Sequence, residues 1–153
     1  MKSALQKSPI PHTHAFVVQS LKQSVFDPNW HFHPEYQIFM VLKGKGTRFV
    51  GDHVKSFKAG DITFLGPNLP HLWRSDQEEL VTKRSPLAEG IVVYFNENFI
   101  SDTLLDKEEG ILLRKLFRNS LRGIDINGKT ANTIGQLILN LPLQEDFDAV
   151  LGL

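Results

Sequence analysis

The first part of the chain consists of short apolar or alternating runs that are separated by glycine, proline and polar residues. Seven glycines and prolines fall between residues 44 and 70. Short runs with this punctuation are typical of an all-β sandwich or barrel. The Gly51–Asp52 step has the residue types of a tight hairpin turn. The predicted strands are Phe16–Ser20, Glu35–Leu42, Thr47–Val50, Asp61–Leu65, His71–Arg74 and Gly90–Phe95.

After residue 98 the apolar residues recur at helical instead of strand spacing. The Asn127–Gly128 step separates two predicted helices, and the second is expected to be capped around Thr130 and to end at Pro142. The apolar stripe of the first helix is Leu112, Leu113, Leu116, Phe117 and Leu121, and that of the second is Ile134, Leu137, Ile138 and Leu141. A third stripe begins with Phe147, Val150 and Leu151.

The amino-acid composition excludes several classes of protein but does not indicate a function. The chain has 153 residues, of which 41% are hydrophobic and 22% charged, as in an ordinary single globular domain. The absence of cysteine excludes disulfides, thiolate metal sites and a cysteine nucleophile. Seventeen basic residues balance seventeen acidic ones, which argues against direct nucleic-acid binding. No apolar run is long enough to span a membrane and no signal peptide is visible, so we expect a cytoplasmic protein.

Candidate chemistry is concentrated in the segments HFHPEYQ and GPNLPH. His31 and His33 are two residues apart, so their side chains share one face of an extended strand. Together with His71 they could form a three-nitrogen site for a divalent metal, completed by Glu35 or Gln37. The alternative is that the imidazoles only form hydrogen bonds in a polar barrel mouth. No G-x-S-x-G motif supports a serine nucleophile.

The same segments resemble the cupin barrel of AraC-type transcriptional regulators. The similarity lies in WHFHPEYQIFMVLKGKGTRFV and FKAGDITFLGPNLPHLW, and it extends over about residues 12–153. Gln37 stands where the cupin pattern has Glu, which removes the anionic ligand for a hard cation. The residues in the first cupin pattern are His31, His33, Gln37 and Gly44, and those in the second are Gly60, Gly66, Asn68 and His71.

The resemblance implies a mainly β fold, namely a cupin-type double-stranded β-helix (a jelly-roll barrel) followed by a C-terminal helical tail. It divides the chain into an N-terminal arm (residues 1–14), a barrel (15–97) and a helical dimerisation tail (98–153). It also implies a DNA-binding helix-turn-helix domain beyond residue 153. Residues 102–153 carry six basic and eight acidic side chains, so the tail itself has no surplus of positive charge for DNA.

The resemblance further implies a non-enzymatic domain that binds a small, sugar-like effector in the barrel lumen and forms homodimers through its C-terminal helices. We expect no catalytic residue, no resident cofactor and no tightly bound metal, although weak divalent-metal binding by the three histidines stays open. The alternative is a small metal-dependent cupin enzyme, a dioxygenase or isomerase, that uses His31, His33 and His71. The expected ligand-binding residues are His31, His33, Gln37, His71 and Trp73.

Overall fold

Two five-stranded sheets form the body of the molecule in the computed structural model, which describes residues 4–7, 9–76, 88–96 and 98–143. The strands are β1 (Ala4–Leu5), β2 (Phe16–Gln23), β3 (His31–Phe32), β4 (Tyr36–Lys43), β5 (Gly46–Val50), β6 (His53–Phe57), β7 (Ile62–Leu65), β8 (His71–Ser75), β9 (Ala88–Phe95) and β10 (Ile124–Ile126). The first sheet has the strand order β1-β3-β8-β5-β6 and the second the order β10-β7-β4-β9-β2. Neighbouring strands are antiparallel except β1 and β3.

Up to residue 143, three helices follow the strand-rich part of the described chain. They are α1 (Asp102–Leu105), α2 (Ile111–Ser120) and α3 (Gly128–Asn140), with short 3-10 helices at Glu108–Gly110 and Leu141–Leu143. Helices α2 and α3 confirm the two helices that the spacing of the apolar residues predicted. Helix α3 begins two residues before the predicted cap at Thr130, because Asn127 occupies the N-cap position. None of the helices in the described ranges has the length and apolar character needed to cross a membrane.

The structure differs from the sequence prediction at three places, and a fourth prediction lies outside the described residues. Residues 98–153 are not purely helical, because Ile124–Ile126 forms strand β10, which pairs with β7. Strands β3 and β6 were not predicted, since β3 has two residues and β6 is mostly exposed. The N-terminal arm is partly structured, because Ala4 and Leu5 pair with His31 and Phe32. The third apolar stripe lies outside the described residues.

Strand alternation divides the apolar side chains into two layers. The inward side chains fill the space between the sheets, and the outward side chains of the second sheet are covered by α2 and α3. The layer between the sheets contains Phe26, Phe39, Val41, Val50, Phe57, Leu65, Trp73, Ala88 and Val92. The layer under the helices includes Ile62, Ile91, Val93, Ile138 and Leu141, with Tyr36, Phe64 and Phe95 beside them. The space between the sheets is the barrel lumen.

Gly46 lies where the backbones of β5 and β8 approach each other closely. A Cβ at Gly46 would lie 2.1 Å from the carbonyl oxygen of Arg74 and 2.8 Å from the Cα of Ser75. Because both contacts are with backbone, Gly46→Ala should lower the free energy of unfolding by about 3 kcal/mol in urea denaturation. Gly60→Ala is the control: its φ is +93° and no atom lies within 4 Å, so about 1 kcal/mol of strain is expected. Equal losses in the two variants would contradict the close approach.

Candidate functional site

Three histidines converge at one end of the lumen. His31 on β3 pairs directly with His71 on β8, and His33 follows β3 before the chain bends into β4. The ring centroids of His31 and His71 are 4.4 Å apart, and those of His33 and His71 are 5.1 Å apart. One ligand nitrogen from each ring lies within 4.8 Å of the other two. We refer to these three residues as the histidine cluster.

Two members of the cluster have their Nδ1 atoms fixed by backbone carbonyls. The Nδ1–H group of His31 donates to the carbonyl of Asn29, and that of His71 donates to the carbonyl of Leu69, each at 2.7 Å. These bonds leave both Nε2 atoms as acceptors. The Nε2 atom of His71 is buried and has no hydrogen-bond partner among the described residues. An unpaired buried acceptor costs about 1–3 kcal/mol, so this atom is suited to receive a donor or a cation.

His33 is held differently, between Gln37 and Glu35. Its Nδ1–H group donates to the carbonyl oxygen of Glu35 at 3.2 Å, and Nδ1 lies 3.5 Å from the Oε2 atom of the Glu35 carboxylate. Its Nε2 atom forms a hydrogen bond with the side-chain amide of Gln37 at 2.9 Å. All three side chains are buried. A ligand that approaches His33 through Nε2 must therefore compete with Gln37.

Burial keeps two imidazoles of the cluster, those of His33 and His71, uncharged. It lowers the pKa of His71 to about 3. It also lowers the pKa of His33, and the Gln37 hydrogen bond and the Glu35 charge only partly oppose this effect. Both imidazoles are therefore neutral near pH 7, which is the form that accepts a hydrogen bond or binds a metal.

Tyr94 is a lumen residue that the sequence analysis missed. It lies on β9 opposite Gln37, and its ring centroid is 5.2 Å from that of His33. Burial raises the pKa of Tyr94 to about 12, so its hydroxyl keeps its proton at neutral pH. The alternation of Gly90, Val92 and Tyr94 toward the same face was the signal that could have identified it.

Trp73 lies next to the cluster, deeper in the lumen. It is two residues from His71 on β8, and the two ring centroids are 5.7 Å apart. Its indole is 5% exposed and contacts the ring of Phe39 edge-on, with centroids 4.8 Å apart. The structure therefore brings four of the five expected ligand-binding residues (His31, His33, Gln37, His71) to one end of the lumen, and places Trp73 in the apolar layer beside them.

The donor set is compatible with a divalent metal held by three imidazoles. His31, His33 and His71 supply nitrogen ligands of the kind that zinc, iron, nickel and copper prefer. The carboxylate of Glu35 is not part of this group, because it faces the Nδ1 side of His33. A metal here would have no carboxylate ligand from the cluster, and Gln37 offers only a neutral amide.

The comparison with family models supports a cupin-type fold for the barrel. Residues 17–83 match the Cupin_2 model, which describes a cupin domain. The barrel has the cupin fold. Its two sheets and short C-terminal helices confirm the fold class predicted from the sequence. No curated protein matches the sequence of the chain significantly.

Several solved structures are similar to this chain at low sequence identity. ToxT from Vibrio cholerae is 16% identical with a TM-score of 0.53, over 91% of this chain and 52% of the ToxT chain. An RmlC-like cupin from Methanocaldococcus jannaschii is 21% identical (TM-score 0.39), over 53% of this chain and 68% of its own. A variant of Bacillus subtilis oxalate decarboxylase is 17% identical (TM-score 0.40), over 66% of this chain and 28% of its own. The chain thus spans about half of ToxT and about a quarter of the decarboxylase.

The lowered pKa of His71 predicts a stability that depends on pH. An unfolded histidine titrates near pH 6.5, whereas His71 in the folded cupin barrel titrates near pH 3. Between these values the unfolded state binds more protons, so the free energy of unfolding should fall as the pH falls below 6.5. The contribution of His71 approaches about 1.4 kcal/mol per pH unit.

Urea denaturation of the metal-free protein between pH 7.5 and 4.5 checks this expectation. His71→Gln should have a flatter dependence than the wild type, while the exposed His53→Gln should retain the wild-type slope. Identical slopes for the wild type and His71→Gln would contradict the assigned burial.

Proposed function

We propose that this cupin domain binds a small polar effector at the histidine cluster and acts as the sensing and dimerisation domain of an AraC-type transcriptional regulator. The observation that carries the proposal is the buried, unpartnered Nε2 atom of His71, which lies beside His31 and His33. A hydroxyl group of a bound molecule would donate to this acceptor and remove its desolvation cost.

The surroundings of His71 fit a ligand with both polar and apolar surface. The neutral imidazoles, the Gln37 amide and the protonated Tyr94 hydroxyl supply acceptors and donors, and Trp73 supplies an aromatic plane. Sugars and polyols bind to such combinations, because their hydroxyls need hydrogen bonds and their C–H faces pack on aromatic rings. The ligand class is therefore a small hydroxyl-rich molecule.

The regulator assignment is supported by the resemblance in sequence and by the arrangement of the whole chain. ToxT, an AraC-family regulator, shares the fold over 91% of this chain, a coverage that extends beyond the 67 residues matched by the cupin model. Gln37 replaces the cupin glutamate, which disfavours a resident hard cation. DNA binding would belong to a separate domain, since the chain has no net charge.

A metal-dependent cupin enzyme is the second candidate, and the approach of the three histidines to within 4.8 Å favours it. His31, His33 and His71 would hold the ion, and the bound metal would supply Lewis-acid or redox chemistry. The two candidates differ in what occupies the cluster, so one set of measurements separates them.

The effector proposal predicts stabilisation by hydroxyl-rich molecules. In a Trp30→Phe background Trp73 is the remaining tryptophan of the two, and its fluorescence reports on the lumen. We expect at least one member of a panel of aldopentoses, aldohexoses and polyols to change this fluorescence and raise the Tm. At 100 times its Kd the stabilisation is about 2.7 kcal/mol.

The ligand response should be lost in His71→Ala and retained in His53→Ala. It should be reduced in Trp73→Ala, for which the Tm is measured in the wild-type Trp30 background. A shift that persists undiminished in His71→Ala would place the site elsewhere. Near-stoichiometric transition metal that survives dialysis in the wild type, but not in His31→Ala, would overturn the effector proposal in favour of the enzyme.

The dimerisation proposal rests on the apolar residues that α2 exposes. Leu112 is 78% exposed, and Leu116 lies four residues further along the helix at 42%. Leu112→Glu should weaken the dimer by at least about tenfold, because it places a charge in an apolar contact. Sedimentation over a concentration series measures this change. Arg118→Glu, on a different side of the helix, should leave the equilibrium unchanged. A wild-type chain that is monomeric at high concentration would contradict the proposal.

A further inference from the structure

A charged cleft lies between the edge strands of the two sheets, and none of the three residues of the histidine cluster lines it. Strand β6 ends the first sheet and β10 ends the second. Two cavities, of about 490 and 350 Å³, open here and share Arg48, Lys55 and Asp125 in their walls. We call the region around these three residues the β6–β10 cleft. The proposed effector site does not use any of them.

Two cations face each other across neighbouring strands in this cleft. Arg48 on β5 is directly opposite Lys55 on β6. Like charges in this position destabilise a sheet. The Arg48 side chain is only 8% exposed, so its charge is also largely removed from water. An anion that lies between the two side chains offsets both of these costs.

Asp125 is the anion in this structure. Its Oδ1 atom accepts a hydrogen bond from Arg48, and its Oδ2 atom accepts one from Lys55 at 2.7 Å. The Arg48 guanidinium also donates to the hydroxyl of Thr63. These contacts show that the space between a guanidinium and an ammonium group fits a carboxylate. One carboxylate serves two cations, so the group retains a net positive charge.

The walls of the cleft add to this positive charge. Across the two cavities there are five Lys and Arg side chains and three Asp side chains, an excess of two positive charges. One of the aspartates, Asp61, accepts a hydrogen bond from the backbone of Lys58 within its own turn. The basic residues are Lys45, Arg48, Lys55, Lys58 and Arg122, and the acidic ones are Asp61, Asp76 and Asp125.

We propose that the β6–β10 cleft is a binding site for a small organic molecule that carries a carboxylate, which takes the place of Asp125 between Arg48 and Lys55. The Asp125 carboxylate can be displaced because Asp125 lies on a three-residue edge strand and its side chain is 27% exposed. Strand β10 joins α2 to α3 along the chain. Release of Asp125 therefore links occupation of the cleft to the position of the two helices.

A purely structural role for the three residues makes a different prediction. In that case Asp125 only ties β10 to the first sheet, and its loss costs stability that no small anion restores. Asp125→Asn separates the two cases. It removes the internal carboxylate while keeping the side-chain volume, and it leaves Arg48 and Lys55 facing each other.

Succinate is the probe, with sodium chloride at equal ionic strength as its control. Thermal unfolding and amide NMR titrations are recorded for the wild type, Asp125→Asn and Lys55→Met. Succinate should raise the Tm of Asp125→Asn and bind it more tightly than the wild type by about tenfold, a usual coupling between competing ligands. The amide resonances that move should belong to β5, β6 and β10.

Lys55→Met should lose the succinate response, and it is expected to fold because the Lys55 side chain is 58% exposed. Lys22→Met removes an exposed lysine outside the cleft and should respond as the wild type does. The proposal is overturned if succinate acts no more strongly than chloride on Asp125→Asn. It is also overturned if Lys55→Met keeps the full response, or if the resonance changes map to other strands.

Discussion

Strand β4 carries apolar side chains on both faces, and this constraint shapes the rest of the molecule. Phe39 and Val41 point into the lumen, while Tyr36 packs under α2 with its ring 4.8 Å from that of Phe117. An antiparallel sheet usually leaves one face to water. Here the outward face is apolar, so the chain must supply a second layer, and α2 and α3 provide it. Gly135 on α3 approaches the Met40 side chain, where an added Cβ would lie 3.3 Å from Cε.

The local pattern of apolar and polar residues was sufficient to predict the strands and helices that bury apolar surface. The alternating runs and their glycine boundaries predicted the longer strands, and helical spacing predicted α2 and α3. Strand β6 was missed because four of its five residues are exposed, so it has no apolar alternation. Strand β10 was missed because three residues between two helices acquire their pairing from β7, which is 60 residues earlier in the chain. Such pairing is a tertiary effect that a local window does not contain.

In the candidate sites, too, the sequence motifs predicted some residues, whereas contacts between residues far apart in the chain could not be predicted. The His-x-His spacing placed His31 and His33 on one face, and the second cupin segment supplied His71. The spacing did not predict that carbonyl groups would fix two of the rings, or that Gln37 and Glu35 would bracket the third. The Arg48–Asp125 contact joins residues 77 positions apart, and no motif connects them. Only the closure of the barrel brings this pair together.

The polar groups of the lumen lie in two successive layers of the barrel. His71 pairs with Val50 across β5 and β8, and Trp73 pairs with Arg48 in the next layer. On the second sheet Gln37 pairs with Leu65, and Phe39 pairs with Thr63 in the layer that also contains Asp125. The histidine cluster and the β6–β10 cleft therefore occupy neighbouring layers, and Trp73 is adjacent to both His71 and Arg48.

The histidine cluster and the β6–β10 cleft each contain an arrangement that lowers the stability of the fold. An orphaned imidazole nitrogen and two opposed cations are both unfavourable, and apolar residues of similar volume would remove the cost. Both arrangements lie on rigid strands inside an otherwise consistent hydrophobic pattern, the setting in which local violations of folding rules are expected at functional sites. At the first site the proposed ligand would donate to His71 and offset a cost that is present in the free protein. At the second site Asp125 already offsets the repulsion between Arg48 and Lys55, so the proposed carboxylate would exchange with Asp125 instead of removing a cost.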